Sequence, residues 1–235
     1  MVKQIINYTF FFLFIFNCYS QKVSGKVNYQ KTMIDASDRI SKPDSKKRFL
    51  AFRKKINSNL KKINYTLEFN AFESIFFSPK VMENDNKREM KLATNLGGGR
   101  GLLYINIETK LKLHQADGFG ENFLIKGEIE YDWIITQETK IIKGYICYKA
   151  NLKNDKGTVA YFTKEIPFSF GPNGYCGLPG LILELNLKNG FSFKVKEIFI
   201  NKKGSKEISK PTKGVKISEK DFLGNAKDKV KKRKN

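Results

Sequence analysis

Few side chains in this 235-residue chain have the types and spacing that catalysis requires. The only histidine is His114, and a Ser-His-Asp or Cys-His arrangement would need its imidazole to take the proton of the nucleophile. His114 ends the segment Leu111-Lys112-Leu113-His114, in which apolar and polar residues alternate as in a strand, with no nucleophile turn nearby. We therefore interpret His114 as a surface or hydrogen-bonded histidine.

Acidic residues offer a second route to chemistry, since glycosidases use two carboxylates as acid and as base or nucleophile. The candidates are Glu128, Glu130, Asp132, Glu165 and Glu184. Their positions in the sequence do not indicate which of them lie close together. Glu184 alternates with apolar neighbours in a predicted strand, so we expect its side chain to face solvent. The sequence thus predicts no catalytic residue, and it leaves an enzyme open as an alternative.

The first twenty residues have the pattern of a secretory signal peptide. Lys3 is the only charge, residues 10–16 form an unbroken apolar run, and Cys-Tyr-Ser at 18–20 offers a cleavage site. We predict cleavage between Ser20 and Gln21. The apolar run is too short to span a bilayer and no longer one follows, so we expect no transmembrane segment in the mature chain. Lipid attachment at Cys18 is disfavoured because asparagine precedes it where a small residue is expected.

Two cysteines, Cys147 and Cys176, remain after the predicted cleavage. Together with the single histidine they do not supply the four ligands of a usual zinc site, and we predict no metal or other cofactor. An even number of cysteines in an oxidising compartment favours a Cys147–Cys176 disulfide. Two buried free thiols are the alternative.

The chain is strongly basic, with 44 lysines and arginines against 23 acidic residues and a formal net charge of +21. A protein with this charge is attracted to anionic surfaces. For an exported chain we expect lipid phosphates or acidic glycans as the anionic surface, and no nucleic acid. Ordinary solvated faces rich in lysine are the alternative interpretation of the same charge.

The most unusual segment is 171–184, which contains four glycines and two prolines before an apolar run begins. Glycine reaches backbone angles that other residues avoid, and proline fixes φ and removes a hydrogen-bond donor. The pattern therefore predicts a defined turn that leads into a strand at 181–187. We interpret the segment as architectural, with a ligand-binding loop as the alternative.

Residues 177–182 spell GLPGLI, and the chain resembles the GLPGLI family of exported proteins of diderm bacteria, which has no assigned activity. The resemblance extends to an ordered series of residues that precede the hexapeptide. The matching positions are Trp133, Lys140, Gly144, Tyr145, Cys147, Lys149, Ala150, Ile166, Pro167, Gly171, Pro172, Gly177, Leu178, Pro179, Gly180, Leu181 and Ile182. The resemblance implies an exported, mainly β protein, and it provides no catalytic residues.

The elements that position these residues are mostly strands, because the hydrophobic period of the mature chain is mostly two. The predicted strands are 23–29, 63–71, 74–77, 102–107, 111–114, 122–125, 131–136, 141–150, 158–162, 181–187 and 191–200. Asn189-Gly190 predicts a hairpin turn between the last two. Only 44–62 has helical spacing, because apolar residues recur every three or four positions opposite a basic face, at Phe49, Phe52, Ile56, Leu60 and Ile63. That apolar stripe either covers the sheet or contacts a membrane surface.

The sequence therefore predicts a mainly β (α+β) fold, in which a single curved antiparallel sheet carries one amphipathic helix. We predict a signal peptide at 1–20, one domain at 21–222 and a basic, frayed tail at 223–235. The predicted function is that of a noncatalytic protein of the periplasm or outer-membrane periphery, which binds an envelope protein or an apolar, lipid-like or anionic ligand. An envelope hydrolase and a structural accessory of an outer-membrane assembly are the alternatives.

Overall fold

The computed structural model describes residues 23–78, 101–118, 120–201, 204 and 206–232. The predicted signal peptide and its cleavage site at Ser20 and Gln21 lie outside these residues. Twelve strands form one open sheet: β1 (Ser24–Met33), β2 (Tyr65–Phe69), β3 (Glu73–Phe77), β4 (Gly101–Asn106), β5 (Leu111–Gly118), β6 (Glu121–Glu128), β7 (Trp133–Ile142), β8 (Tyr145–Leu152), β9 (Val159–Thr163), β10 (Leu181–Asn186), β11 (Phe191–Asn201) and β12 (Val215–Ser218). Their order across the sheet is β12-β6-β5-β4-β3-β2-β1-β11-β10-β9-β8-β7. Every neighbouring pair is antiparallel except β12 and β6, which are parallel. The predicted mainly β fold with one large sheet is confirmed.

The α-helices are α1 (Pro43–Leu60) and α2 (Glu219–Lys232). Two 3-10 helices occupy Ser37–Arg39 and Pro172–Gly174. Within these residues, neither α-helix is both long and apolar enough to cross a membrane.

The predicted helix is α1, which begins at Pro43 because proline is well tolerated in the first turn of a helix. It packs beside β1, where Asn57 Oδ1 accepts a hydrogen bond from the Met33 amide at 2.7 Å. Only Ile56, Asn59 and Leu60 of α1 are buried. The predicted apolar stripe therefore covers the sheet at its C-terminal end, while its N-terminal part is more exposed.

One large core joins most strands to the end of α1. Its largest fully buried side chains include Tyr29, Phe69, Phe162 and Phe193. Tyr29 connects β1 to β10, because its hydroxyl donates a hydrogen bond to the Ile182 carbonyl at 2.6 Å. A smaller second core, around Tyr104, Leu113, Leu124 and Ile208, lies under the β4–β6 end of the sheet.

The structure corrects the strand prediction at 131–150. The predicted break at 137–140 is part of one long strand, β7, which is paired to β8 through a two-residue turn at Lys143 and Gly144. Both turn residues have positive φ, at 53° and 87°, which is the geometry of a tight hairpin turn. The polar residues at 137–140 suggested a loop. They are compatible with a strand because β7 lies at the edge of the sheet, where polar side chains can face solvent.

The C-terminal segment also differs from the prediction of a single helix. Strand β12 adds to the sheet beside β6, and α2 follows it directly. Phe222 of α2 packs edge-on against Phe123, with ring centroids 5.3 Å apart. Lys112 on β5 pairs with Glu219 at 2.9 Å. The basic segment predicted as a tail from residue 223 thus begins within α2.

Candidate functional site

The GLPGLI segment folds back on the residues that precede it. The Gly177 amide donates to the Ser169 carbonyl at 3.1 Å, and the Leu181 amide donates to the Ile166 carbonyl at 2.9 Å. The side chains of Leu178 and Leu181 are fully buried. These contacts place a compact turn against the end of β9, and the segment contributes backbone geometry and apolar burial rather than reactive groups.

Trp133 joins the first residue of β7 to this turn. Its indole Nε1 donates a hydrogen bond to the Cys176 carbonyl at 2.9 Å. Its ring lies 6.2 Å from that of Tyr175 and 6.3 Å from that of Tyr131, and the two tyrosine rings stack at 4.9 Å. Three aromatic side chains thus hold the start of the edge strand against the turn, which explains why the only tryptophan is at this position.

Glu184 contradicts the expectation that it faces solvent, since only 7% of its surface is exposed. Lys140 reaches it across β8 and β9 to form an ion pair at 2.9 Å, and Lys194 lies at 3.8 Å on the other side. The Lys140 ammonium also lies 3.5 Å from the centre of the Tyr161 ring. Glu184 is buried because these long side chains cover it. The sequence pattern indicates on which face of the strand Glu184 lies, but not which side chains cover that face.

The other carboxylates that the sequence offered are dispersed. Asp132 pairs with Lys153 at 2.8 Å, and Glu165 accepts a hydrogen bond from the Ile146 amide at 3.0 Å. Because the partners of these acids are cations or backbone groups, the arrangement suits structural ion pairs better than acid–base catalysis. Within the described residues, no group of three or more His, Cys, Asp and Glu side chains is arranged to hold a metal ion.

His114 is half-buried on β5, opposite Leu103 and Ile125. Burial lowers the pKa of His114 below its usual range, and the nearby Lys112 lowers it further. A histidine with a lowered pKa is neutral at physiological pH. Cys147 and Cys176, the thiols that a Cys-His arrangement would need, belong to the large core, whereas His114 lies on β5.

Cys147 and Cys176 are both buried free thiols in the structure. Burial raises the pKa of Cys147 to about 11 and that of Cys176 to about 12. Lys149, two residues after Cys147, pairs with Glu138 at 2.9 Å. Since no finding tests the oxidation state of the protein in its compartment, the disulfide stays a prediction.

A cleft of about 470 Å³ opens beside the motif turn. It is lined by Asp155, Thr158, Asn173, Tyr175, Leu187, Lys188 and Asn189. Thr158 Oγ1 donates to Asp155 at 2.6 Å, and Lys188 pairs with the same carboxylate at 3.4 Å. The charged groups of the cleft are therefore already paired with one another.

The surface that sequence reasoning missed is the isoleucine edge, which we define as Ile134, Ile135 and Ile141 of β7 with Ile146 of β8. Ile141 is 75% exposed, and Ile146, 53% exposed, lies directly opposite it on the hairpin. β7 ends the strand order, so its outer side has no strand neighbour among the described residues. The sequence predicted strands at 131–136 and 141–150, but it gives no signal of which strand is at the edge.

Comparison with known proteins agrees with an uncharacterised family. Residues 151–184, which include the GLPGLI hexapeptide, match a family described as a protein of unknown function (Porph_ging). No curated protein matches the chain significantly. Two structures of PNGF-II, in space groups P21 and C2, are similar to it with a TM-score of 0.53 and 12% sequence identity. They align with 86% of this chain, which spans only 32% of theirs, so the likeness shows the fold alone.

Proposed function

We propose that this chain is an exported, noncatalytic GLPGLI-family protein of the periplasm or outer-membrane periphery, which binds a partner protein through the isoleucine edge. The family part of the proposal is supported by the match of residues 151–184 and by the wider series of motif residues around it. The export part is supported by the apolar run and the cleavage site of the first twenty residues.

The observation that carries the binding function is the exposure of Ile141 and Ile146 on an open sheet edge. Large apolar side chains that solvent reaches are typical of interaction surfaces, and an edge strand also offers unpaired backbone groups. A register shift between Ile135 and Thr139 divides β7 into two parts. The part from Thr139 to Ile142 is long enough to hydrogen-bond a short extended segment of a partner, whose side chains would cover the two isoleucines.

A noncatalytic role is supported by the pairing of the acidic side chains with lysines and by the turn geometry of the GLPGLI segment. An envelope hydrolase is the second candidate, and the observation that favours it is the cleft beside the motif turn. A structural accessory of an outer-membrane assembly would use the same isoleucine edge, in a permanent complex rather than an exchanging one.

Site-specific photocross-linking in the native envelope tests the partner-binding function. We expect a photoreactive residue at Ile141 or at Ile146 to cross-link to one and the same protein, at a mapped segment of that protein. Phe199 on β11, 53% exposed, is the matched control and should not cross-link to it. The double variant Ile141→Lys/Ile146→Lys should keep its melting temperature and lose the complex. Equal cross-linking from Phe199, or a complex that survives the double substitution, would contradict the proposal.

Processing is tested on protein isolated from the cell envelope. N-terminal sequencing should begin at Gln21, because cleavage is expected after the small residue Ser20. A lipid-modified cysteine at position 18 as the first residue would instead make the protein a lipoprotein. The intact precursor as the only form would contradict export by cleavage.

A further inference from the structure

We propose that the N-terminal part of α1 binds the surface of an anionic lipid bilayer. This inference does not depend on partner binding at the isoleucine edge, since α1 packs beside β1, far along the sheet from β7. It follows from three properties of α1 that the structure brings together: attachment by one end, exposed apolar side chains and an excess of positive charge.

The helix is attached to the fold mainly by its C-terminal part. Gln30 Nε2 donates to the Leu60 carbonyl at 3.1 Å, and Arg53 Nε donates to the Met33 carbonyl at 3.1 Å. The first buried residue of α1 is Ile56, thirteen positions after its start at Pro43. The N-terminal part therefore projects beside the sheet, and its surface is open to a partner.

Apolar side chains continue along this open part. Phe49 and Phe52 share the helical stripe that is buried further on at Ile56 and Leu60, because residues three and four apart lie on one face. Phe52 is 40% exposed, whereas Ile56 and Leu60 are almost completely covered. The stripe thus runs past the point at which the protein covers it.

The charge of α1 indicates the kind of surface that it contacts. Its six cations exceed its one acid, Asp44, by five charges. These cations are Lys46, Lys47, Arg48, Arg53, Lys54 and Lys55. Lys47 and Lys54 are exposed. A helix with a short apolar stripe between lysines and arginines lies in the interface of a bilayer, and its cations attract anionic headgroups. A bilayer can bind the aromatic rings and the cations of α1 at the same time, whereas an acidic soluble chain binds only the cations.

Vesicle sedimentation of the mature chain tests this inference. We expect it to bind vesicles of mixed phosphatidylcholine and phosphatidylglycerol, and to remain in solution with phosphatidylcholine alone. Two variants address the two properties, Phe52→Ser for the apolar stripe and Lys47→Glu/Lys54→Glu for the charge. Each should weaken binding by about tenfold while leaving the melting temperature unchanged, because all three residues are exposed.

The matched control is Lys156→Glu/Lys210→Glu, which makes the same change in net charge at exposed positions outside α1. It should bind vesicles as the unmodified chain does. Equal loss in this control would show attraction by bulk charge only and would overturn the inference, as would full binding by both α1 variants. Tight binding of polyglutamate that survives Phe52→Ser would indicate an acidic polypeptide instead of a bilayer. The Ile141→Lys/Ile146→Lys variant should still bind vesicles, so failure of one proposal leaves the other intact.

Discussion

Lys31 is a charged residue inside the core, with only 2% of its surface exposed. Its ammonium lies 4.5 Å from the centre of the Phe193 ring, 5.1 Å from Phe191 and 5.7 Å from Tyr65. Burial lowers the pKa of Lys31 to about 7, because removal from water penalises the charged form. The three rings partly offset this penalty, since their faces attract a cation.

Replacing Lys31 by methionine should change how stability depends on pH. The lysine keeps its proton up to about pH 10.5 in the unfolded chain but only to about pH 7 in the fold. Between these values the unfolded state binds more protons, so the free energy of unfolding rises with pH by up to about 1.4 kcal/mol per unit. Lys31→Met should lack this rise and be the more stable protein at and below neutral pH.

Urea unfolding of both proteins between about pH 6 and about pH 9 measures this difference. The raised pKa values of Cys147 and Cys176 affect both proteins alike, so they cancel in the comparison. Lys26→Met, an exposed lysine on the same strand, should keep the pH dependence of the unmodified chain. Parallel curves for Lys31→Met and the unmodified protein would show that the buried amine does not titrate in this range.

The two thiols provide a second test at the residue scale. Because burial raises the pKa of both Cys147 and Cys176, little of the reactive thiolate forms at neutral pH. Iodoacetamide should therefore modify the folded, unreduced protein slowly and modify both cysteines at once after denaturation. A linked pair in a non-reducing peptide map would instead establish the disulfide that the cysteine count predicts.

At the scale of elements, the motif turn depends on two glycines for different reasons. Gly177 has a φ of 90°, and a Cβ there would meet no atom closer than 3.9 Å. A Cβ at Gly180 would lie 2.0 Å from the Thr163 carbonyl oxygen, so the backbones themselves are too close for a side chain. The turn thus needs glycine for backbone conformation at the first position and for close packing at the second.

Alanine substitutions separate these two requirements. Gly177→Ala should cost about 1 kcal/mol, the strain of a positive φ, whereas Gly180→Ala should cost at least about 2 kcal/mol because β9 must move. Thermal or urea unfolding of each purified variant gives the two values. Equal, small losses would show that the turn relaxes easily. Normal stability with loss of the cross-linked partner would assign the turn to binding rather than to architecture.

The helices are a further case at this scale. Hydrophobic spacing predicts α1 closely, because one face of its last turns is buried against the fold. The spacing does not indicate that Phe52 lies beyond the sheet, since that depends on where α1 crosses β1. The segment of α2 has many charges and few apolar residues, so its packing of Phe222 on Phe123 was not apparent from the sequence.

At the scale of the whole molecule, the two proposed surfaces are well separated. α1 packs beside β1, and five strand steps along the sheet lead from β1 to β7. With neighbouring strands about 4.8 Å apart, this corresponds to roughly 24 Å along the sheet. The separation allows a bilayer and a partner segment to be bound at the same time, which suits a protein that holds its partner close to a membrane.

The sequence by itself determined the class of fold and most of its elements. A period of two predicts strands, a period of three to four predicts α1, and Asn189-Gly190 predicts the β10–β11 hairpin. These features depend on local backbone geometry and on the pattern of apolar residues. Both are set by residues that are close together in the chain.

The tertiary structure alone decided the order of the strands and therefore the candidate sites. Period two shows which side chains share a face, but not what covers that face or which strand lies beside it. For this reason Glu184 and Lys31 are buried, although charged residues are usually exposed. Ile141 is exposed, although isoleucine is usually buried. Each of these outcomes depends on pairings between residues far apart in the chain, such as Lys31 with Phe193, and the sequence does not specify them locally.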